Sequence, residues 1–376
     1  MIFGERIEQA REFRQLTQSE LAARLGIEHK NFSRIERGSE TYDGLAAALA
    51  DVLAFPVGFF EKEPLRDFAL GTLDFRARTT TSAKAKKRAY QYARLVFELA
   101  AFMSSRLKAP PPRLPRLTGD PEEAATNLRS DLGMNPDSPI LNLTDSLERA
   151  GVFVFALPDL EAGCDGFSAW GVINRRITPA IFVSAAVSGD RARLTVAHEV
   201  GELTLLEKPP GNDREKAANR FAGALLMPAE AFRKHLVAPV SLYDLMDIKR
   251  FYGVSIQAAL VRAFHLGIIT DRRYRTLYRQ LSSERWRKNE PIKIAFEKPR
   301  GLSKMAELLY GLPVDVVRMA ADGGLPPIMA RQLLSAHATK ADLRGLTNAR
   351  IADVIPFRKD NQKDALGDGD VHRVEA

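Results

Sequence analysis

Four prolines fall within residues 107–120, LKAPPPRLPRLTGD, and no regular helix runs through such a stretch. Proline lacks the backbone donor and its ring collides with the preceding turn, so a helix arriving here must stop. The segment reads as a stiff connector with a new unit beginning near Asp120. At 376 residues the chain is also too long for one ordinary core, and two or three domains are expected.

Before the connector, residues 4–55 read as a run of short helices. ERIEQAREFRQ places Ile7, Ala10 and Phe13 at helical spacing. Thr17 stands as an N-cap with Glu20 three residues later, a capping box, and QSELAARLG stops at Gly26, a natural C-cap. EHKNFSRIERG ends at Gly38, and LAAALADVLAF follows as a fourth helix. Two short helices joined by a Gly-containing turn make a helix-turn-helix. Ala22, Leu25, Phe32 and Ile35 face inward, which leaves His29, Lys30, Asn31, Arg34 and Arg37 on the outer face. Arginine forks onto guanine, asparagine onto adenine, and lysine or histidine reaches base edges or phosphates. The alternative is a small packing bundle with a solvated basic face. LTQSELAARLGIEHKNFSRIERG resembles the lambda-repressor-like, xenobiotic-response-element type of helix-turn-helix, over roughly residues 3–60. That resemblance implies double-stranded DNA as partner. Gln18 would bond a phosphate, His29, Lys30 and Arg34 would face base edges, and Arg11 and Glu36 would form an internal ion pair. It also implies a homodimer reading paired half-sites.

The formal net charge of +8 permits an anionic partner without naming one. Its distribution is uneven. Residues 75–94, FRARTTTSAKAKKRAYQYAR, hold Arg76, Arg78, Lys84, Lys86, Lys87, Arg88 and Arg94 with no acid among them. They read either as a solvated helix face or as a surface for phosphates. The first 62 residues, in contrast, are rich in acids: Glu5, Glu8, Glu12, Glu20, Glu28, Glu40, Asp43 and Asp51. No apolar run approaches the ~18 residues needed to cross a bilayer, and MIFGERIEQAREFRQ carries charges where a signal peptide needs an apolar stretch. A cytoplasmic protein without membrane contact is expected. The single Cys164 excludes an internal disulfide and a cysteine-based zinc site, and reads as an unremarkable loop or half-buried thiol rather than a nucleophile.

After the connector come the helices PEEAATNLRSDLG and LTDSLERAG, then the strands VFVFAL, GFSAWGVI and PAIFVS. A Ser188-Gly189-Asp190 start leads into the helix RARLTVAHEVGELTLL. Helices, a few strands, then a helix bearing His-Glu is the layout of a minimal α+β metallopeptidase. In H-E-x-x-H two histidines four apart share a helix face and hold zinc, and the glutamate takes a proton from the bound water. Here the residues are His198, Glu199, Val200, Gly201 and Glu202, with glutamate at the second histidine's position.

GFSAW, GDRARLTVAHEVGEL, ANRFAGALLMP and FYGVSIQAALVRAFHLGIIT resemble the ImmA/IrrE metallopeptidase-like domain, over roughly residues 120–295. The resemblance implies zinc, with His198 as first metal ligand, Glu199 as catalytic base and Glu202 as a carboxylate ligand on the correct face. The family's third ligand is a glutamate directly before Ala-Asn, where this chain has Ala217. Glu215, two residues earlier, lies about 200° around a helix and is expected to point away. Glu207 or Asp213 would have to loop back. Two donors argue against a firmly held ion and against peptidase activity. His235, His265, His337 and His372 are weaker candidates.

The expected fold is thus multidomain: an all-α helix-turn-helix N-terminal domain, an α+β zincin-like (ImmA/IrrE-like) domain and a small helical C-terminal region. The expected boundaries are 1–62 for DNA binding, 63–119 for a basic helix and Pro-rich linker, 120–295 for the peptidase-like domain, 296–358 for the helical region and 359–376 for a disordered tail. Residues 301–336 read as three short amphipathic helices, an interaction module or simple packing. The functional expectation is a DNA-binding transcription regulator, repressor or antitoxin-like, with a degenerate peptidase-like sensing or partner-binding domain. The resemblance adds a cognate toxin or repressor protein as a possible partner. The alternative is an active zinc-dependent endopeptidase that cleaves a repressor or other regulatory protein.

Overall fold

The computed structural model describes residues 2–40, 44–65, 68–70, 82–107, 111–158, 160, 164–206, 212–287 and 289–338. Arg76, Arg78, Glu207, His372, the expected tail 359–376 and the 339–358 part of the expected helical region lie outside the described residues.

The N-terminal unit is α1 (Gly4–Phe13), α2 (Gln18–Leu25), α3 (His29–Glu36), α4 (Leu45–Leu53) and α5 (Val57–Glu61). Thr17 and Glu20 form the capping box that opens α2, and Gly26 closes it in the left-handed conformation at φ +68°. Ile7, Ala10, Leu21, Ala22, Phe32, Ile35, Leu49 and Phe60 are buried at its centre, with Leu25 partly buried against them.

The chain then forms β1 (Phe68–Leu70) and the 24-residue α6 (Ala83–Arg106), capped by Ser82. The next elements are α7 (Pro121–Asp131), α8 (Leu143–Arg149), β2 (Phe153–Leu157), β3 (Gly166–Ile173) and β4 (Arg176–Ser184). Six helices follow: α9 (Gly189–Thr204), α10 (Asn212–Leu226), α11 (Ala229–His235), α12 (Leu242–Tyr252), α13 (Ile256–His265) and α14 (Asp271–Ser283). The C-terminal helices are α15 (Gly301–Tyr310), α16 (Val316–Gly323) and α17 (Pro327–His337).

The sheet has the order β1-β3-β4-β2, with β2 parallel to β4 and the other pairs antiparallel. β3 and β4 join through Asn174 and Arg175, both at positive φ, as a two-residue hairpin of matching twist requires. The sheet divides two cores. Alternate residues Phe155, Leu157, Phe182 and Ala180 face the core shared with α1–α6 and α15–α17, while Val154, Ile181 and Val183 face α7–α14.

Residues 63–119 therefore do more than space two bodies apart. β1 adds an edge strand by pairing with β3. α6 is a wedge: Tyr92, Val96, Phe97 and Met103 are buried in the shared core. Its polar face meets the acids of the N-terminal unit. Lys84 pairs with Glu20 at 3.1 Å, Lys87 with Glu12 at 2.6 Å and Arg94 with Glu5 at 2.6 Å. Arg6 of α1, 1% exposed, pairs with Glu98 at 2.6 Å and donates to the Lys62 and Glu63 carbonyls. The basic run is thus in part the complement of the acidic first helices, with Arg94 buried against Glu5 while Lys84 and Lys87 stay largely exposed beside their partners. The Pro-rich stretch is pinned too. Arg113 N–H donates to the Ala150 carbonyl, and Leu117 bridges to Leu205.

Helix α6 rests so close to β3 that a Cβ on Gly171 would stand 2.2 Å from the Phe97 ring. Gly171→Ala is expected to destabilise the fold by about 1–3 kcal/mol through overpacking, read as a lowered denaturant midpoint. The C-terminal helices pack onto α6 and β2. His337 ties them to the sheet: its Nδ1–H donates to the Leu333 carbonyl and its Nε2 accepts from Ala156 N–H.

Candidate functional site

Helix α9 leaves β4 and lies against β3 and β4. Its first turn is fixed by Asp190, which bonds the Lys249 ammonium of α12, and the same ammonium pairs with Glu290 at 2.8 Å. Two turns further on stand His198 and Glu199, both buried. Helix α10 crosses α9 closely at Gly201, where a Cβ would come 2.9 Å from the Phe221 ring. This crossing brings the first turns of α10 over His198.

The His198 ring is sandwiched by two residues of α10 that lie four apart on one face. Nδ1 is 3.2 Å from Asn219 Oδ1, and Nε2 is 3.7 Å from Glu215 Oε2. The expectation that Glu215 points away is thereby corrected. An offset of about 200° from position 217 turns Glu215 away only where position 217 itself faces the site. α10 is instead turned so that 215 and 219 face His198, while Ala217 packs against the helical core. His198, Glu202 and Glu215 offer donor atoms that all lie within 4.8 Å of one another. A third donor exists, contributed from a position the sequence pattern did not single out.

The composition of this group suits a metal, and an oriented imidazole with Asn219 behind it suits one as well. Its charge arrangement does not. Glu202 Oε2 accepts two hydrogen bonds from Arg214, one from Nε at 2.7 Å and one from the second guanidinium nitrogen. A fixed cation already holds one oxygen of Glu202 and competes with Zn²⁺ for this carboxylate, so the arrangement disfavours zinc. Arg214 escaped the sequence reading. The signal for it was the acid at 202 on a buried helix, which needs a counter-charge from a neighbouring element. Asp213 pairs instead with Lys216 at 2.8 Å. Cys164 is buried, and its thiol is pushed up to about 12 by burial, with the Asp165 and Glu199 carboxylates adding to the effect, so it is no nucleophile near neutral pH. His235 bonds Tyr252 at 3.0 Å, and His265 is exposed at the end of α13, so neither joins the group.

The second surface is α3. Phe32 and Ile35 anchor it in the core, and His29, Lys30, Asn31, Arg34 and Arg37 are all exposed. Arg34 pairs with Glu40 at 2.6 Å in an exposed contact. Arg11 and Glu36 form the internal ion pair at 2.7 Å, both side chains buried. Gln18, half-buried at the start of α2, donates an amide hydrogen to Glu36.

These features define a helix-turn-helix unit built onto a mixed α/β, zincin-like domain. The comparisons with known families agree. Residues 2–58 match the family model described as a helix-turn-helix domain, and residues 147–264 match that of the M78 peptidases, described as the IrrE N-terminal-like domain. The chain carries both domains in one polypeptide. A search of curated proteins finds no match. Among the described residues, no helix is long and apolar enough to cross a membrane.

Proposed function

We propose that this protein is a sequence-specific DNA-binding transcription regulator, repressor or antitoxin-like, acting in the cytoplasm as a homodimer. The observation that carries the reading is α3, anchored by Phe32 and Ile35 with His29, Lys30, Asn31, Arg34 and Arg37 turned to solvent. That is the arrangement of a recognition helix, whose outer side chains read the major groove while its apolar side fixes the docking angle. Gln18 and the N-terminus of α2 position the domain on the phosphate backbone. The IrrE-like domain serves as the sensing or partner-binding unit, for a cognate toxin or repressor protein, and works without metal. What supports the latter is the Arg214 guanidinium on Glu202.

Arg34→Ala is expected to weaken operator binding about 10–100-fold, equivalent to 1–3 kcal/mol. Unfolding should be unchanged, because Arg34 is 57% exposed and its partner Glu40 is 40% exposed. The measurement is a binding curve on DNA upstream of the coding region, taken at several salt concentrations. Flat curves for the unaltered protein at low salt sink the reading.

The approach of Glu215 to His198 favours a second reading, a zinc endopeptidase with a His-Glu-Glu ligand set and Glu199 as base. Proteolysis abolished by Glu199→Gln, together with about one zinc per chain, would establish it.

A further inference from the structure

The centre at His198 brings Glu202 and Glu215 together beside one imidazole, with Glu199 next in the chain, and Glu199 and Glu202 are shielded from water. Carboxylates withdrawn from water need a positive charge to hold them. In a metal centre the ion supplies it. In this chain the charge comes from the protein. Arg214, only 17% exposed, places two N–H donors of its planar fork on one oxygen of Glu202, whose side chain is 10% exposed. Arg214 and Glu215 are adjacent on the first turns of α10, so the helix that brings the extra acid also brings the cation. A second positive ion entering among His198, Glu202 and Glu215 would share the Glu202 carboxylate with the guanidinium and be repelled by it.

We infer that Arg214 is a built-in cation standing in for the metal of this centre, and that removing its charge turns His198, Glu202 and Glu215 into a zinc site. The inference rests on the metal-free reading above and adds the cause of it. Arg214 acts as a positioning and neutralising group; no reaction is assigned to it. With the guanidinium gone, three donors within 4.8 Å of one another have no competing cation on Glu202, and zinc accepts one imidazole and two carboxylates. Asn219, already bonded to His198 Nδ1, leaves Nε2 as the donor nitrogen.

The test uses the full chain, purified without added zinc, then incubated with zinc chloride and desalted. Zinc content and the zinc-dependent shift of the melting midpoint are read for each variant, with chelator reversal. The unaltered protein is expected to retain almost no zinc and to show no shift. Arg214→Gln should retain about one zinc per chain and gain a chelator-reversible rise in melting midpoint. Arg214→Lys, which keeps a cation, should behave as the unaltered protein. Arg214→Gln combined with Glu215→Gln should lose the acquired zinc. Should Arg214→Gln lack a cooperative melt, Arg214→Met, which keeps the aliphatic stem, carries the same expectation. A folded neutral variant that retains no more zinc than the unaltered protein overturns the inference and leaves the metal-free reading standing. About one zinc per chain in the unaltered protein overturns the metal-free reading itself.

Discussion

Replacing Lys249 by Met is expected to destabilise the folded chain by about 3–5 kcal/mol, the range for removing one partner of a buried ion pair. Lys249 is 1% exposed, and its ammonium bonds Asp190 and, at 2.8 Å, Glu290. Burial alone would raise the Asp190 carboxyl. The bonds from Lys249 and Ser188 more than reverse that and hold it below its ordinary value. Methionine fills the volume but leaves two carboxylates facing each other with no counter-charge. Both have structural duties. Asp190 sits in the first turn of α9, where a negative charge also favours the helix dipole, and Glu290 accepts from Ile256 N–H at the start of α13. The loss therefore loosens the N-terminal anchor of the helix that carries His198. Denaturant unfolding of Lys249→Met measures it. Adding Asp190→Asn should recover part of the loss, because it removes one of the stranded charges. A cost below about 1 kcal/mol would place this triad among weak, solvent-screened pairs instead.

What the sequence made legible was local. The capping box of Thr17 and Glu20, the Gly26 stop and the buried Phe32 and Ile35 are decided within one or two helical turns, and all are present. The three strands of the peptidase-like domain were visible as β-branched and aromatic runs; β4 extends three residues earlier than its reading, to Arg176, because the Asn174-Arg175 turn continues the pairing with β3. β1 was missed. It is three residues long and exists only through its pairing with β3, a hundred residues away in sequence, which no local pattern encodes.

The site divides in the same way. His198, Glu199 and Glu202 share one helix, so their common origin could be read from spacing alone. Glu215 and Arg214 depend on how α10 is rotated where it crosses α9, where Phe221 meets Gly201, Ala217 packs against the helical core and Ala218 is buried. A helical wheel gives angles within one helix but not the direction from which its neighbour is viewed. Similarly, the acids of the first helices and the bases of residues 84–94 were both visible, but their pairing required α6 to lie along α1. The cations of α6 that meet these acids hold the N-terminal unit to the helix that packs on β3, a strand α9 also lies against.

His337 gives the joint between the C-terminal helices and that sheet a defined pH dependence. The ring is fully buried, and burial lowers its pKa from 6.5 to about 4, partly opposed by the Leu333 carbonyl that accepts from Nδ1. Its neutral form is needed at both ends, since Nε2 must accept the Ala156 N–H. A folded-state pKa below the unfolded one means that the unfolded chain binds the additional proton between the two values. The His337 contribution is therefore complete above pH 6.5 and is lost progressively as pH falls toward about 4. At the bottom of that window the loss is about 3 kcal/mol, at roughly 1.4 kcal/mol per pH unit. Other groups also titrate there, so the informative quantity is the difference in unfolding free energy between the unaltered protein and His337→Gln, followed from pH 7 to pH 4. Glutamine keeps a donor and an acceptor but does not titrate. The variant should be less stable at neutral pH through imperfect packing, and the gap should narrow on acidification by up to about 3 kcal/mol. A gap that stays constant across the window would mean that the ring protonates inside the fold at no cost, which is incompatible with an imidazole held between a backbone donor and a backbone acceptor.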